Sequence, residues 1–161
     1  MTNELFLRNV TLDDLPIFFE QQRDEEANTM AAFTAKDPND REAFFAHWHR
    51  ILADETVINK TIVVNGLVVG SVASYIDEGK PEVTYWLGKE HWGKGIATKA
   101  LSEFLAHHNQ VRPIYARVAK DNIGSRRVLE KCGFTVIGES KGFANARGQE
   151  VEELLLERSA A

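Results

Sequence analysis

The stretch that decides the fold is Glu82-Val83-Thr84-Tyr85-Trp86-Leu87, followed closely by Trp92-Gly93-Lys94-Gly95-Ile96-Ala97. The first run has the apolar character of a strand, and the second is a glycine-rich turn that opens directly into an amphipathic helix. Such a turn presents unpaired backbone N–H groups at the positive end of the helix dipole. It therefore predicts an anion site, of which phosphate is the commonest occupant. Short Gly-x-Gly runs are also frequent as plain tight turns, so the turn alone leaves both interpretations open.

The spacing of the glycines excludes two familiar phosphate-binding motifs. A Walker A loop needs four residues between its glycines and then Lys-Ser/Thr, which Gly93 and Gly95 do not provide. A dinucleotide fingerprint needs a third glycine and a later acidic residue that are missing at the proper places. A second helix start, Asp121-Asn122-Ile123-Gly124-Ser125, follows the next strand and adds an amide and a hydroxyl. A P-loop nucleotidase is therefore disfavoured.

Length and composition predict one domain spanning residues 1–161, with 43% hydrophobic and 27% charged residues. The net charge of −5 argues against a general nucleic-acid binder and is compatible with a cationic substrate such as an amine. A single cysteine, Cys132, excludes an intramolecular disulfide. No apolar run is long enough to cross a bilayer, and the N-terminus does not resemble a signal peptide. We expect a cytoplasmic protein without nucleic-acid or membrane partners.

The periodicity of apolar residues predicts an α+β fold around a mixed sheet. Asn65-Gly66 joins two strand-like runs and is the dipeptide that a type I′ hairpin turn favours. No element is predicted over Asp24–Pro38, and Lys141–Gly148 is predicted to be a loop. The predicted elements are a strand Leu5–Val10, helices after Thr11 and Pro38, strands Thr56–Val64, Leu67–Ile76 and from Pro81, a helix from Ile96 to about His108, a strand Pro113–Ala119, a helix Asn122–Cys132, and strands Phe134–Glu139 and Val151–Glu157.

Taken together, these motifs resemble the GNAT superfamily of acetyl-CoA-dependent N-acetyltransferases, in particular the branch that contains the ribosomal-protein N-terminal acetyltransferases. The resemblance is specific over about residues 81–138 and rests on the strand Glu82–Leu87, the turn Trp92–Ala97, Asn122-x-x-Ser125 and the run Val128–Phe134. The pyrophosphate loop of the superfamily is usually written Gln/Arg-x-x-Gly-x-Gly/Ala. Gly95 and Ala97 match it, and Trp92 stands at the Gln/Arg position. The resemblance implies a mostly antiparallel sheet that is splayed at the cofactor and flanked by helices.

The resemblance assigns roles to individual positions. It implies that backbone groups of Tyr85 and Leu87 bind the acetyl carbonyl and the pantetheine arm, and that the amides from Gly93 to Thr98 hold the pyrophosphate. Asn122 is expected to bind the pantetheine arm, and Ser125 to protonate the leaving thiolate. Arg126, Arg127 and Lys131 are either ligands of the 3′-phosphate or solvated surface residues. The cofactor contacts implied are Tyr85, Trp86, Leu87, Trp92, Gly93, Lys94, Gly95, Ile96, Ala97, Thr98, Asn122 and Ser125.

Direct attack on a thioester requires a neutral amine, which limits the choice of acceptor and base. A lysine amine with a pKa of about 10.4 is almost wholly charged near neutral pH, whereas an α-amine with a pKa of about 7.7–8.0 is substantially neutral. A carboxylate acting through water then suffices as a base. Glu82 is the candidate, and the alternative is an edge carboxylate that pairs with a neighbour. Glu82 and Tyr85 lie on opposite faces of a regular strand.

The remaining residues give weaker signals. No histidine has metal-ligand spacing, so we predict no metal, and Cys132 is expected to pack inside. The acceptor pocket is expected to form from Asp24–Lys36 and Lys141–Gly148, with Phe33 and Trp48 as apolar walls or core residues. The leading hypothesis is an enzyme that acetylates a primary amine, either a protein N-terminus or a small molecule. The alternative is a non-catalytic acyl-CoA-binding module of the same fold. The oligomeric state is open, and a homodimer is compatible with the resemblance.

Overall fold

A sheet of seven strands forms the centre of the protein in the order β1-β2-β3-β4-β5-β7-β6. The computed structural model describes residues 4–32, 34 and 36–159. Neighbouring strands are antiparallel except β4 and β5, which are parallel. The prediction of a mixed, mostly antiparallel sheet in an α+β fold is confirmed. The strands are β1 (Leu5–Asn9), β2 (Ile58–Val64), β3 (Leu67–Asp77), β4 (Lys80–Leu87), β5 (Ile114–Ala119), β6 (Thr135–Ala144) and β7 (Gln149–Arg158).

Helices cover both faces of this sheet. One of these helices was not predicted from the sequence. Helix α2 (Glu25–Ala31) lies within Asp24–Pro38, where the sequence predicted no element. The Asp24 carboxylate caps it by accepting from the Ala27 N–H at 2.8 Å. Its inward residues, Ala27 and Asn28, are too small or too polar to give an apolar stripe. Phe33, a predicted pocket wall, lies outside the described residues. The helices are α1 (Leu15–Gln22), α2 (Glu25–Ala31), α3 (Arg41–Ala53), α4 (Ile96–His107) and α5 (Ile123–Lys131).

The β6–β7 hairpin is longer than predicted. Residues 141–144 and 149–150, assigned to loop or left unassigned by the sequence, continue the two strands in register down to Ala144 opposite Gln149. The prediction of a loop over Lys141–Gly148 is therefore wrong except at the turn, residues 145–148. Charged and small residues on both faces of this half of the hairpin remove the alternation that would reveal a strand. The turn contacts α2, where Arg147 donates to the Thr29 carbonyl at 2.8 Å.

Strands β4 and β5 pair at one position only, Glu82 opposite Tyr115. Beyond that point the strands separate, and the sheet splays toward Leu87 on β4 and Ala119 on β5, as the resemblance implied. The main core lies on the α4 and α5 side of the sheet, where Leu101, Phe104 and Leu105 of α4 are fully buried. Cys132 is also buried there, as predicted. The splay therefore opens a gap in the middle of an otherwise continuous sheet.

Two local features stabilise the structure of the first half of the chain. Asn65 and Gly66 adopt φ angles of 50° and 82°, as a type I′ turn requires. The buried Asp14 carboxylate accepts hydrogen bonds from Arg8 on β1 and from the Thr61 hydroxyl on β2. No helix among the described residues has the length and apolarity needed to span a bilayer.

Candidate active site

The gap between β4 and β5 opens into a cavity of about 950 Å³. This volume lies at the upper end of the range usual for ligand pockets. Every cofactor contact implied by the sequence lines the cavity except Lys94, and Glu82 does not line it either. The lining candidates are Tyr85, Trp86, Leu87, Trp92, Gly93, Gly95, Ile96, Ala97, Thr98, Asn122 and Ser125.

The backbone of β4 presents hydrogen-bonding groups to this gap. Gly88 donates to the Val69 carbonyl across the β3–β4 pair at 2.9 Å, so even-numbered residues of β4 direct their N–H and C=O groups toward β3. Tyr85 and Leu87 therefore direct theirs away from β3, to the side where β5 has separated. The Leu87 carbonyl accepts from the indole N–H of Trp92 at 3.2 Å, which ties the loop to the strand end.

The N-terminus of α4 forms another wall. Gly93 and Gly95 adopt φ angles of 74° and 76°, which L side chains rarely take, and a Cβ on Gly95 would meet no heavy atom within 4 Å. Helix α4 begins at Ile96, and its first N–H groups have no partner within the helix. Gly95 and the first residues of α4, Ile96 to Thr98, line the cavity, so the start of the helix borders it. This is the geometry of an anion site at a helix terminus.

The N-terminus of α5 brings together two hydroxyl groups. Asn122 caps the helix through its side-chain oxygen, which accepts from the Ser125 N–H at 3.2 Å. The Ser125 hydroxyl lies 2.9 Å from the Tyr85 hydroxyl on β4. Burial raises the pKa of Tyr85, although the hydrogen bond with Ser125 opposes this effect. The phenol therefore stays protonated near neutral pH and is available as a proton donor.

Glu82 lies beneath the cavity at the point where β4 and β5 meet. Its residue is only 3% exposed, and its carboxylate forms an ion pair with Arg117 of β5 at 3.3 Å. Burial raises the pKa of Glu82 and outweighs the opposing charge of Arg117. The Tyr75 hydroxyl donates to the same carboxylate at 3.4 Å, and burial raises the pKa of Tyr75 to about 12. The ion pair supports the pairing interpretation of Glu82, and its role as a base stays a prediction.

A sequence model described as "Acetyltransferase (GNAT) domain" matches residues 4–135. The chain belongs to this family. YdaF of Bacillus subtilis (strain 168), a protein named as a ribosomal N-acetyltransferase, is 29% identical over 68% of this chain and 65% of its own length. The chain thus spans somewhat under two thirds of YdaF. The N-acetyltransferase p20 of Bacillus licheniformis is 25% identical over 94% of this chain and 90% of its own.

Solved structures of similar fold support the same assignment. Mycobacterium smegmatis RimJ, in complex with a CoA-disulfide, has a TM-score of 0.81 and 24% identity over 97% of this chain and 82% of that one. The microcin C7 self-immunity acetyltransferase MccE, in complex with acetyl-CoA and AMP, has a TM-score of 0.81 and 19% identity over 97% and 92%. At these identities the likeness shows the fold. The predicted GNAT fold and acetyltransferase family are therefore confirmed.

The cavity of this GNAT chain also contains residues that the sequence analysis did not nominate. Arg117 lies between two carboxylates, those of Glu82 and Glu153, at 3.3 Å each, and Arg117, Glu153 and Tyr75 line the cavity. Arg117 is the one charged residue of β5, which is a signal that sequence inspection could have used. Glu153 lies in an acidic run and gives no such signal.

Only part of the predicted acceptor pocket is present in the cavity wall. Ala27, Met30 and Ala31 of α2 line the cavity, whereas no described residue of 141–148 does. Trp48 packs on Phe18, with ring centroids 5.2 Å apart, and is not part of the wall. The acidic residues at the start of α2 have partners of their own, because Asp24 caps α2 and Glu26 pairs with Lys89.

Only some of the basic residues considered for the 3′-phosphate line the cavity. Arg127 and Lys131 line the cavity, whereas Arg126 pairs with Glu130 at 3.5 Å. His91 also lines it. Among the described residues no cluster of His, Cys, Asp and Glu has the geometry of a metal site.

Proposed function

We propose that this protein is an acetyl-CoA-dependent N-acetyltransferase that moves an acetyl group to a primary amine by direct attack. The observation that carries the proposal is the convergence of three features on one cavity. These are the unpaired backbone edge of β4, the open N-terminus of α4 and the hydroxyl pair of Tyr85 and Ser125. We further propose that residues 1–161 form a single catalytic domain. A cytoplasmic location remains a prediction.

The donor side of the cavity suits coenzyme A. The N–H and C=O groups of Tyr85 and the N–H of Leu87 point away from β3 and can pair with the amides of a pantetheine arm, as a further strand would. The amides at the start of α4 suit a pyrophosphate, and the conformation of Gly95 keeps the approach open. Arg127 and Lys131 are cations at the same cavity for the 3′-phosphate.

The acceptor side lies on the opposite face of the sheet, between α2 and the ends of β5 and β7. Arg117 is neutralised by Glu82 and Glu153, so these groups together carry one net negative charge. This environment suits a cationic or neutral amine rather than an acid. The small side chains of Ala27 and Ala31 in the cavity wall leave room for an extended chain terminus. An α-amine is the acceptor that needs least help to lose its proton.

We propose the following roles in the reaction. Glu82, which lies beneath the cavity and has a pKa raised by burial, accepts the amine proton through water. Ser125 donates a proton to the departing thiolate and recovers one from Tyr85. The names of relatives support a protein N-terminus as acceptor, since one structure of similar fold is RimL, an α-N-protein acetyltransferase of ribosomal L7/L12, with a TM-score of 0.80 at 18% identity.

The test is an acetylation assay with a mixed panel of peptides and small amines. Free thiol is followed over time, and the products are identified by mass spectrometry. We expect thiol release that depends on an amine, with one acetyl group added per product. If acetyl-CoA binds but no amine is turned over, the protein is instead an acyl-CoA-binding module. If neither CoA nor acetyl-CoA raises the unfolding temperature, the proposal fails at its first step.

A further inference from the structure

The β6–β7 turn, residues 145–148, packs on the C-terminal end of α2. Three hydrogen bonds join the two, and in each the acceptor is a backbone carbonyl at or just beyond the end of the helix. These bonds satisfy carbonyls that a helix end leaves without a partner. The three pairs are the Arg147 Nε with the Thr29 carbonyl at 2.8 Å, the Ala146 N–H with the Ala32 carbonyl at 3.3 Å, and the Asn145 amide with the Thr34 carbonyl at 2.8 Å.

Arg147 supplies α2 with a cation that the helix does not have. The last turn of α2 contains no basic residue, although a positive charge there interacts favourably with the negative end of the helix dipole. The Arg147 side chain is only 15% exposed, and it lies 118 residues along the chain from Thr29. The C-terminal end of α2 is therefore stabilised by a distant turn rather than by its own sequence.

The same guanidinium also binds Asp121. Its two terminal nitrogens donate to the two carboxylate oxygens, with 2.8 Å between Nη2 and Oδ1. A bidentate pair of this kind fixes the orientation of both groups. The Asp121 side chain is 63% exposed, so solvent screens part of the attraction between the charges. The contact therefore contributes mainly through its geometry.

The two partners of Arg147 belong to different sides of the cavity. Helix α2 carries part of the proposed acceptor wall, whereas Asp121 lies directly before Asn122, the residue that caps α5. Arg147 is not among the described residues that line the cavity. It can therefore influence the cavity only through α2 and Asp121.

Small residues bring the end of α2 close to the sheet at this junction. Ala32, Ala119 and Ala144 form a separate buried cluster, and each is at most 1% exposed. They lie directly after α2, at the end of β5 and at the end of β6. Ala32 has a φ of 65°, which L residues other than glycine seldom adopt. Such a conformation persists only where surrounding contacts hold it, and the turn provides those contacts.

We propose that Arg147 is a positioning residue for acetyl transfer, which holds the C-terminal end of α2 in place relative to the start of α5. The inference rests on the proposed function, because α2 affects the reaction only as a wall of the acceptor site. Loss of Arg147 releases one end of this wall. Helix α5 keeps its own cap, in which Asn122 accepts from the Ser125 N–H, so the CoA side stays in place. Amine binding should therefore weaken while CoA affinity is retained.

Steady-state kinetics and calorimetry test this difference, with the amine that the panel assay acetylates fastest as the probe. We expect Arg147→Ala to raise the KM for the amine about tenfold and to change CoA affinity by less than about twofold. Arg147→Lys keeps the charge but loses the fork, so its KM should lie between the two. Glu26→Gln is the matched control, because it removes the exposed ion pair of α2 with Lys89 and should leave the KM unchanged.

Chemical rescue distinguishes positioning from general damage to the fold. Guanidinium chloride at a low, non-denaturing concentration should lower the amine KM of Arg147→Ala and leave that of the native protein unchanged. The inference is overturned if Arg147→Ala has the native KM, or if Glu26→Gln raises the KM equally. A parallel loss of CoA affinity and unfolding temperature in Arg147→Ala also overturns it, because the residue then has only a structural role.

Hydrogen exchange of α2, followed by mass spectrometry, needs no acceptor and so separates this inference from the proposed function. Arg147→Ala should speed amide exchange at residues 28–32, whereas Glu26→Gln should not. If no amine is turned over, the proposed function fails, but faster exchange would still show that Arg147 anchors α2. Unchanged exchange in Arg147→Ala overturns the inference even where amines are acetylated.

Discussion

The phenolic oxygen of Tyr85 lies 2.9 Å from the hydroxyl oxygen of Ser125, joining β4 to the N-terminus of α5 across the splayed sheet. The two residues are on different elements, and only the separation of β4 from β5 lets the α5 terminus approach the strand. Burial raises the pKa of Tyr85, so the pair holds its proton near neutral pH. The contact thus connects an interior phenol to a hydroxyl in the cavity wall.

We expect Ser125→Ala to lower kcat by about a hundredfold, within the range for loss of a general acid. Tyr85→Phe should lower kcat less, because Ser125 remains, and Tyr85→Phe added to Ser125→Ala should have little further effect. The measurement is steady-state kinetics of the four proteins, with CoA affinity measured by calorimetry. Additive losses in kcat would show that Tyr85 does not act through Ser125.

We expect Gly95→Glu to lower CoA affinity at least roughly tenfold, because it adds a negative charge beside the anion site. Gly66→Glu is the matched control, since Gly66 has a similar φ of 82° and equally open space but lies in the β2–β3 turn. Both variants should lose stability through backbone strain. Equal CoA affinities for the two variants would show that the N-terminus of α4 does not bind the pyrophosphate.

The pH dependence of kcat/KM tests the role of Glu82. If Glu82 is the base, both it and the amine must be unprotonated, and the acid limb is steeper than for the amine alone. The acid limb should extend to pH values above the ordinary pKa range of glutamate, because burial raises the pKa of Glu82. Glu82→Gln should make the limb shallower, whereas Glu153→Gln should preserve its slope. An unchanged slope in Glu82→Gln would leave this residue with a purely structural role.

Asp14 should make stability depend on pH in acid. Burial alone would raise its pKa, but hydrogen bonds from Arg8, the Thr11 N–H and Thr61 lower it from 3.8 to about 2. The unfolded chain therefore binds more protons in this range, so the contribution of Asp14 is complete above pH 4 and is lost as the pH falls toward 2.

The corresponding variant is Asp14→Asn, which we expect to cost about 2 kcal/mol of unfolding free energy at neutral pH. Urea unfolding at pH 7 and at pH 3 measures the effect. The difference between native and variant should shrink at the lower pH. A difference that is the same at both pH values would show that the carboxylate charge contributes nothing.

Much of the fold could be predicted from the sequence because its elements have strong local signals. The α4 helix has a continuous apolar stripe, the Asn65-Gly66 turn has residues suited to positive φ, and α5 begins at a capping asparagine. Helix α2 and the outer half of the β6–β7 hairpin were missed. Their residues are small or charged, and they are stabilised by contacts with distant parts of the chain, such as Arg147 with Thr29.

The candidate site shows the same difference between residues with local sequence signals and residues held by distant contacts. The sequence by itself predicted the proposed donor side, because a glycine turn at a helix start and a capped helix carry their geometry within a few residues, and because these motifs resemble those of the GNAT superfamily. Only the tertiary structure brought together the residues of the proposed acceptor side. Arg117, Glu82 and Glu153 come from three strands, and Tyr85 meets Ser125 forty residues away along the chain. Strand pairing and the splay bring these groups together, and neither is encoded by local periodicity.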